Sequence, residues 1–263
     1  MIKRTHEVTT LDSNNEFSPF YDPQYTMTIT INGQLSILLL AERLLAVEGI
    51  ELVQVNTDGV TLTYPEEQEE RINSICKKWE SDVKLQLEYA DYEAMFIRDV
   101  NNYIALRTDG GVKRKGAYEY ENLGWHQDHS SLVVKKAAEH EILGRGTVEE
   151  FISKHDNKWD FMLHTKVPRS SRLVMMMDDG KEIPLQNICR YYPSTEGGKL
   201  VKIMPPLPNK PDEERRIGID KEYNVKTCNN ILDFDWKLNY NYYINEARKL
   251  VDPLKENKDE GVF

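Results

Sequence analysis

Apolar positions in the first half of the chain repeat with two different periods, and the switches between them predict the elements. From Asn32, a candidate cap, Leu35, Leu38, Leu39, Leu45 and Ala46 form one wide apolar face, and Gly49 supplies a stop, so a helix is expected. "ELVQVN" and "VTLTY" then alternate with the two-residue period of strands on either side of Asp58-Gly59, a strong short-range hairpin signal. A second helix is expected from Pro65. Glu66, Glu67, Glu69 and Glu70 complement the positive end of its dipole, and Ile72, Ile75, Cys76 and Trp79 keep the i, i+3, i+4, i+7 spacing of a core-facing stripe. "KLQLEYADYEAMFIR", "NNYIALRT" and "GVKRKGAYEY" read as further strands, with Asp109-Gly110-Gly111 as a turn. This order predicts an α+β fold in which helices cover one face of an antiparallel sheet.

The pattern changes near Trp125. "SSLVVKKAAEHEIL" is helix-like, "TVEEFISKH" opens with a capping box from Thr147 to Glu150, and "YNYYINEARKLVDPL" reads as a closing helix that ends near Pro253. Residues 180–235 are rich in Pro and Gly and carry no clear period. A boundary near residue 124 therefore divides the chain into 1–124 and a second, mainly helical part, 125–263. Residues 1–20 are polar, and "SPFYDPQY", with two prolines, reads as extended chain.

Composition narrows the class. With 263 residues, 40% hydrophobic and 30% charged, the chain fits a soluble globular protein of one large or two smaller domains. No apolar run approaches the roughly 20 residues of a membrane span, and "MIKRTHEVTTLD" has no apolar core of a secretory leader. Cys76, Cys189 and Cys228 are odd in number and far apart, as in a reduced intracellular protein. A formal net charge of −10 argues against a general nucleic-acid coat, yet two local stretches are basic. Residues 98–118 set Arg98, Arg107, Lys113, Arg114 and Lys115 against Asp99 and Asp109, and "KVPRSSR" carries Lys166, Arg169 and Arg172 without an acid.

Asp58 is the sharpest candidate for chemistry. An Asp-Gly pair between strands most often only shapes a turn. The functional alternative is a carboxylate held rigidly at a sheet edge which, beside a second carboxylate, holds two Mg²⁺ ions for phosphoryl transfer. Spacing alone favours the turn.

Hydrophobic strand, "NTDGV", hydrophobic strand resembles motif C of the family B DNA polymerases, where Asp-Thr-Asp-Ser is usual at the tip of a palm hairpin. Asn56 stands where the family's first Asp is usual and Gly59 where Ser is usual, while Asp58 matches the second Asp, the metal ligand. The variant resembles polymerases of tailed bacteriophages. The surroundings follow in order. "ITINGQLSILLLAERL" resembles the helix before motif C, and "MFIRDVNNYIALRTDGGVKRKGAYEYE" the palm segment that contacts primer DNA. "DFMLHTKVPRSSRLV" and "CRYYPSTEGGKLVKIMPP" are similar to thumb sequence. The resemblance spans roughly residues 13 to 250; residues 1–12 fall outside it and are expected to mark an interruption.

The resemblance implies a palm half over 1–124 and a thumb over 125–263. It implies Mg²⁺ at Asp58 and primer–template contacts from Thr57, Asn101, Tyr103, Lys115, Gly116 and the stripe Lys166, Arg169, Ser170, Ser171 and Arg172. In the family's Lys-x-Tyr motif the Tyr is kept as Tyr103, but Asn101 replaces the Lys; Lys115-Gly116 matches a basic-Gly pair downstream. The family's motif A Asp, its fingers helix and its exonuclease have no counterpart here. The expectation is a C-terminal fragment or subunit that acts on primer–template DNA and deoxynucleoside triphosphates. A separate N-terminal half would supply the second carboxylate, in the cytoplasm of a phage-infected bacterium and without a membrane. The alternatives are a non-catalytic DNA-binding accessory protein or polymerase remnant, and an interaction protein whose Asp58 is only a turn residue.

Other conspicuous residues favour plainer roles. His126, Asp128 and His129 in "WHQDH" suit an exposed connector better than a metal site, and Met175, Met176 and Met177 suit core packing. Tyr191, Tyr192, Tyr240, Tyr242 and Tyr243 fit packing better than base stacking. "GGVKRKG" has no strand–loop–helix context of a phosphate-binding loop.

Overall fold

The computed structural model describes residues 13–209, 214–219 and 223–256. Residues 1–12, the expected interruption, and the acidic tail from residue 257 lie outside the described residues. Helices and antiparallel sheets are both abundant, so the α+β expectation holds. The chain forms two compact units. The first takes the described residues up to Asn101 together with Ala105–Lys113; the second takes Asn102–Ile104 and the described residues from Arg114 onward.

In the first unit, helix α1 spans Pro23–Leu45, nine residues earlier than the pattern from Asn32 predicts. Asp22 caps it by accepting the Tyr25 amide at 2.9 Å, and Pro23 sits at the first helical position, where its missing N–H costs nothing. Pro23 therefore introduces a helix, while Pro19 lies in a turn closed by the Tyr21 amide donating to the Ser18 carbonyl at 3.1 Å. Helix α2 spans Glu69–Val83 after a short 3₁₀ turn at Glu66–Gln68. Its stripe of Ile72, Cys76 and Trp79 packs on Ile37, Leu40 and Leu44 of α1, and Trp79 Nε1 donates to the Ser36 carbonyl at 2.7 Å. Strands β1 (Glu51–Val55) and β2 (Val60–Thr63) form the expected antiparallel hairpin, with Val60 and Leu62 against the same core.

Strands β3 (Tyr92–Asp99), β4 (Asn102–Arg107) and β5 (Val112–Lys115) form a three-stranded sheet in that order. The division between the units runs through β4 and β5.

The second unit opens with helices α3 (Leu132–Ile142) and α4 (Val148–Lys154) and closes with α5 (Tyr240–Glu256). Their core includes Val133, Ala137, Val148, Ile152, Phe161, Tyr243, Ala247 and Val251. The capping box at α4 is present in both directions. Pro253 lies inside α5, which continues to Glu256 instead of stopping there.

The expected mainly helical second half is corrected here, because it also contains six strands. They are β6 (Leu163–Lys166), β7 (Arg172–Met176), β8 (Glu182–Leu185), β9 (Ile188–Met204), β10 (Arg215–Gly218) and β11 (Val225–Thr227). The long strand β9 organises them all. Its first half pairs with β6 and β11, and its second half with β7 and β10; β8 then adds to β7. At the changeover stand Gly197 and Gly198. A Cβ on Gly197 would meet the Val225 carbonyl oxygen at 2.1 Å, and one on Gly198 would meet that of Met176 at 2.4 Å. Gly197 also has φ of 100°, a region that side chains rarely adopt. Only two consecutive glycines let β9 cross between its partners this closely.

Candidate functional site

Asp58 lies at the tip of the β1–β2 hairpin. The turn Asn56-Thr57-Asp58-Gly59 is closed by its own backbone, the Asn56 amide donating to the Gly59 carbonyl at 2.8 Å. Both Thr57 and Asp58 are exposed. Turn aspartates in this chain usually accept the amide two residues on. Asp99 does so from Asn101, Asp109 from Gly111, Asp128 from Ser130, Asp179 from Lys181 and Asp235 from Lys237, all at 2.9–3.1 Å. Asp58 does not. Among the described residues its carboxylate has no hydrogen bond or ion pair, so the turn makes no use of it.

The tip is nonetheless held in place. Gln54, nearly buried on β1, donates through Nε2 to Asn56 Oδ1 at 3.0 Å and to the Val100 carbonyl at 2.8 Å. That clamp ties the hairpin to the β3–β4 turn, which carries Asn101. Asn56, where the resemblance leads one to expect a carboxylate, is thus an acceptor for Gln54. Asp99 in the same turn is already committed to the Asn101 amide and to Arg98, at 3.2 Å.

Mg²⁺ takes hard oxygen donors, and a free carboxylate on a braced hairpin is one such donor. The residues present therefore fit the ion at one ligand position. Two-metal chemistry asks for at least a second carboxylate, and the described residues contain no group of three or more metal-ligating side chains.

In the second unit, Tyr103, Lys115 and Gly116 are gathered by Asn102, whose Oδ1 accepts the Ala117 amide at 2.7 Å. Lys115 is exposed, while the Tyr103 ring is buried and offers no face for stacking. The stripe from 166 to 172 includes a tight turn, the Ser171 amide donating to the Pro168 carbonyl at 2.9 Å. Asn187 braces it through bonds to the Pro168 and Ser171 carbonyls, at 3.1 and 3.3 Å. Arg169 and Ser170 form the exposed tip, with Lys166 exposed on β6 and Ser171 buried.

Much of the basic charge along the two stripes is used internally. Arg98 pairs with Asp99, Arg107 with Asp109 at 3.2 Å, and Arg172 with Glu214 at 2.7 Å. Arg114 grips the buried Glu139 through two nitrogens, pairs with Glu121 at 2.6 Å and stacks 4.5 Å over Tyr120. Burial, and next the Glu139 charge, push the Tyr120 phenol up to about 12. Lys115, Lys166 and Arg169 are cations without an ion pair among the described residues. The role of Glu139 was not legible in sequence, because an acid within "AAEHEIL" looks like solvated helix surface.

The packing expectation holds for Tyr191, Tyr192, Tyr242 and Tyr243 and for Met175, whereas Tyr240 is exposed. Tyr191, Tyr192 and Tyr243 are core residues, and Met175 packs on a buried cluster. His129 bonds the Gly124 carbonyl and Asp128 the Ser130 amide, local contacts of an exposed connector. No helix among the described residues is long and apolar enough to cross a membrane. No protein-family model matches the chain, and no curated protein matches it significantly.

Proposed function

We propose that this chain is the C-terminal palm and thumb portion of a phage-type family B DNA polymerase and works with a separate N-terminal half. The reaction is attack of a primer 3′-hydroxyl oxygen on the α-phosphorus of a deoxynucleoside triphosphate. The new P–O bond forms as the bond to pyrophosphate breaks, and the hydroxyl proton is lost. The observation that carries this reading is the Asp58 carboxylate, which is free of any turn duty yet held on a hairpin braced by Gln54.

Asp58 would hold Mg²⁺ through its carboxylate. Bound there, the ion supplies Lewis-acid activation of the hydroxyl and neutralises charge on the phosphates. Lys115, Lys166 and Arg169 bear on backbone phosphates, which positions a duplex without reading its bases.

Primer extension with Mg²⁺ tests the proposal. The chain is assayed alone, mixed with an N-terminal half carrying the motif A Asp and fingers helix, and mixed in the same way as Asp58→Ala. Extension is expected only from the mixture with intact Asp58. Extension that survives Asp58→Ala would overturn the catalytic assignment. No extension despite confirmed assembly would leave a DNA-binding remnant as the better reading.

A further inference from the structure

Helix α1 carries an apolar face that the described residues of its own unit do not cover. Ile37, Leu40, Ala41 and Leu44 face the core. Met27, Ile31, Leu35 and Leu38 lie about a third of a turn away, within an arc of about 80° at 100° per residue. They are between 45% and 58% exposed. Together they leave on the order of 400 Å² of apolar surface in water, a size at which patches are often functional.

Two further features suit this face to burial. No charged residue occurs from Pro23 to Ala41, in a chain that is 30% charged, and loss of charge marks the core of an interface. The threonine and serine hydroxyls on this stretch are already satisfied. Thr26, Thr28, Thr30 and Ser36 donate to the carbonyls of Asp22, Gln24, Thr26 and Asn32, four residues back, at 2.7–3.1 Å. The threonines thus need no water to satisfy their donors.

We infer that α1 docks against α1 of a second copy of this chain, antiparallel, about a twofold axis beside residue 33. The exposed apolar residues are spaced almost symmetrically about that point. An antiparallel pair sets Ile31 against Leu35 of the second copy and Met27 against Leu38. Phe20, 72% exposed just before the helix, falls opposite Leu45, 52% exposed at its end. A twofold interface must be self-complementary in this way. Each copy carries −10, so two copies repel overall, and the uncharged stretch of α1 is where that repulsion opposes contact least. With Phe20 and Leu45 included, the face approaches the roughly 800 Å² per partner of a standard interface. The inference is independent of the polymerase reading.

Sedimentation equilibrium of the full chain at about 50 µM is the test, a dimer of low-micromolar Kd being expected. Ile31→Glu and Leu35→Lys each weaken it at least about tenfold, since each places a charge against an apolar partner twice per dimer. Mixing the two variants restores dimers, because the carboxylate introduced in one copy then meets the ammonium introduced in the other. Ile31→Val leaves the dimer intact, and circular-dichroism melts verify that every variant folds. A wild-type monomer at this concentration overturns the inference, as does a dimer that survives both charged substitutions. A monomer whose Ile31→Glu variant instead fails to assemble with an N-terminal polymerase half gives α1 to that partner and equally overturns it.

Discussion

The Asp58 side chain is dispensable for the turn it occupies, because the Asn56–Gly59 backbone bond closes that turn without it. Asp58→Ala should therefore change stability by less than about 0.5 kcal/mol while abolishing extension in the complemented assay. If urea unfolding instead shows a loss of about 1 kcal/mol or more, on the scale of a hydrogen bond, Asp58 is a turn residue after all. Arg114 presents the opposite case. It stands in the basic stretch beside Lys115, but its guanidinium is spent on Glu139, which is 2% exposed. Lysine there keeps the charge and loses the planar two-pronged grip, so Arg114→Lys should cost about 3 kcal/mol in urea unfolding. A near-neutral result would mean that the Glu139 carboxylate finds other donors.

Elements with a clean period were readable in sequence. The α2 stripe, the β1–β2 hairpin and the α4 capping box all formed where the pattern put them. What escaped was governed by contacts distant in sequence. Strand β9 contains Pro193 and the Gly197-Gly198 pair, which read locally as loop; its neighbours β6, β7, β10 and β11 together supply the pairing that makes it a strand. The same limit applied to the site. The Asp58 hairpin was legible, but the Gln54 clamp joins residues 46 apart, and no local spacing signals it. Gly197→Ala examines the β9 crossing directly. The positive φ and the 2.1 Å approach to Val225 leave no room for a methyl group, so a loss of about 3 kcal/mol is expected, or about 8 °C in melting temperature. Retention of the wild-type melting temperature would show that β9 can shift to admit the side chain.

At the scale of the whole molecule, carboxylates held low by cations concentrate in the second unit. Burial works to raise the Asp160 carboxyl, but hydrogen bonds from His155 and Lys136 outweigh it and keep the group below its ordinary value. Burial likewise opposes Glu141, where Lys255, the Val148 amide and Arg248 prevail. Arg248 holds Glu149 low, and Lys226 followed by the Tyr192 hydroxyl does the same for Asp235. In each case the folded state binds protons less readily than the unfolded chain. The resulting stability is present above the ordinary carboxylate range, near about pH 4, and is lost as pH falls through the folded values. Acid should therefore loosen the second unit. The three buried cysteines report on this by position, with Cys76 in the first unit and Cys189 and Cys228 in the second. A pyridyl disulfide that reacts at low pH should label Cys189 and Cys228 before Cys76 as pH is lowered from about 6 to 3. Asp160→Asn should shift that onset toward neutral pH and flatten its dependence on acid, since the variant begins without the proton-linked contact. Labelling of Cys76 first would mean that acid stability resides in the first unit and not in these ion pairs.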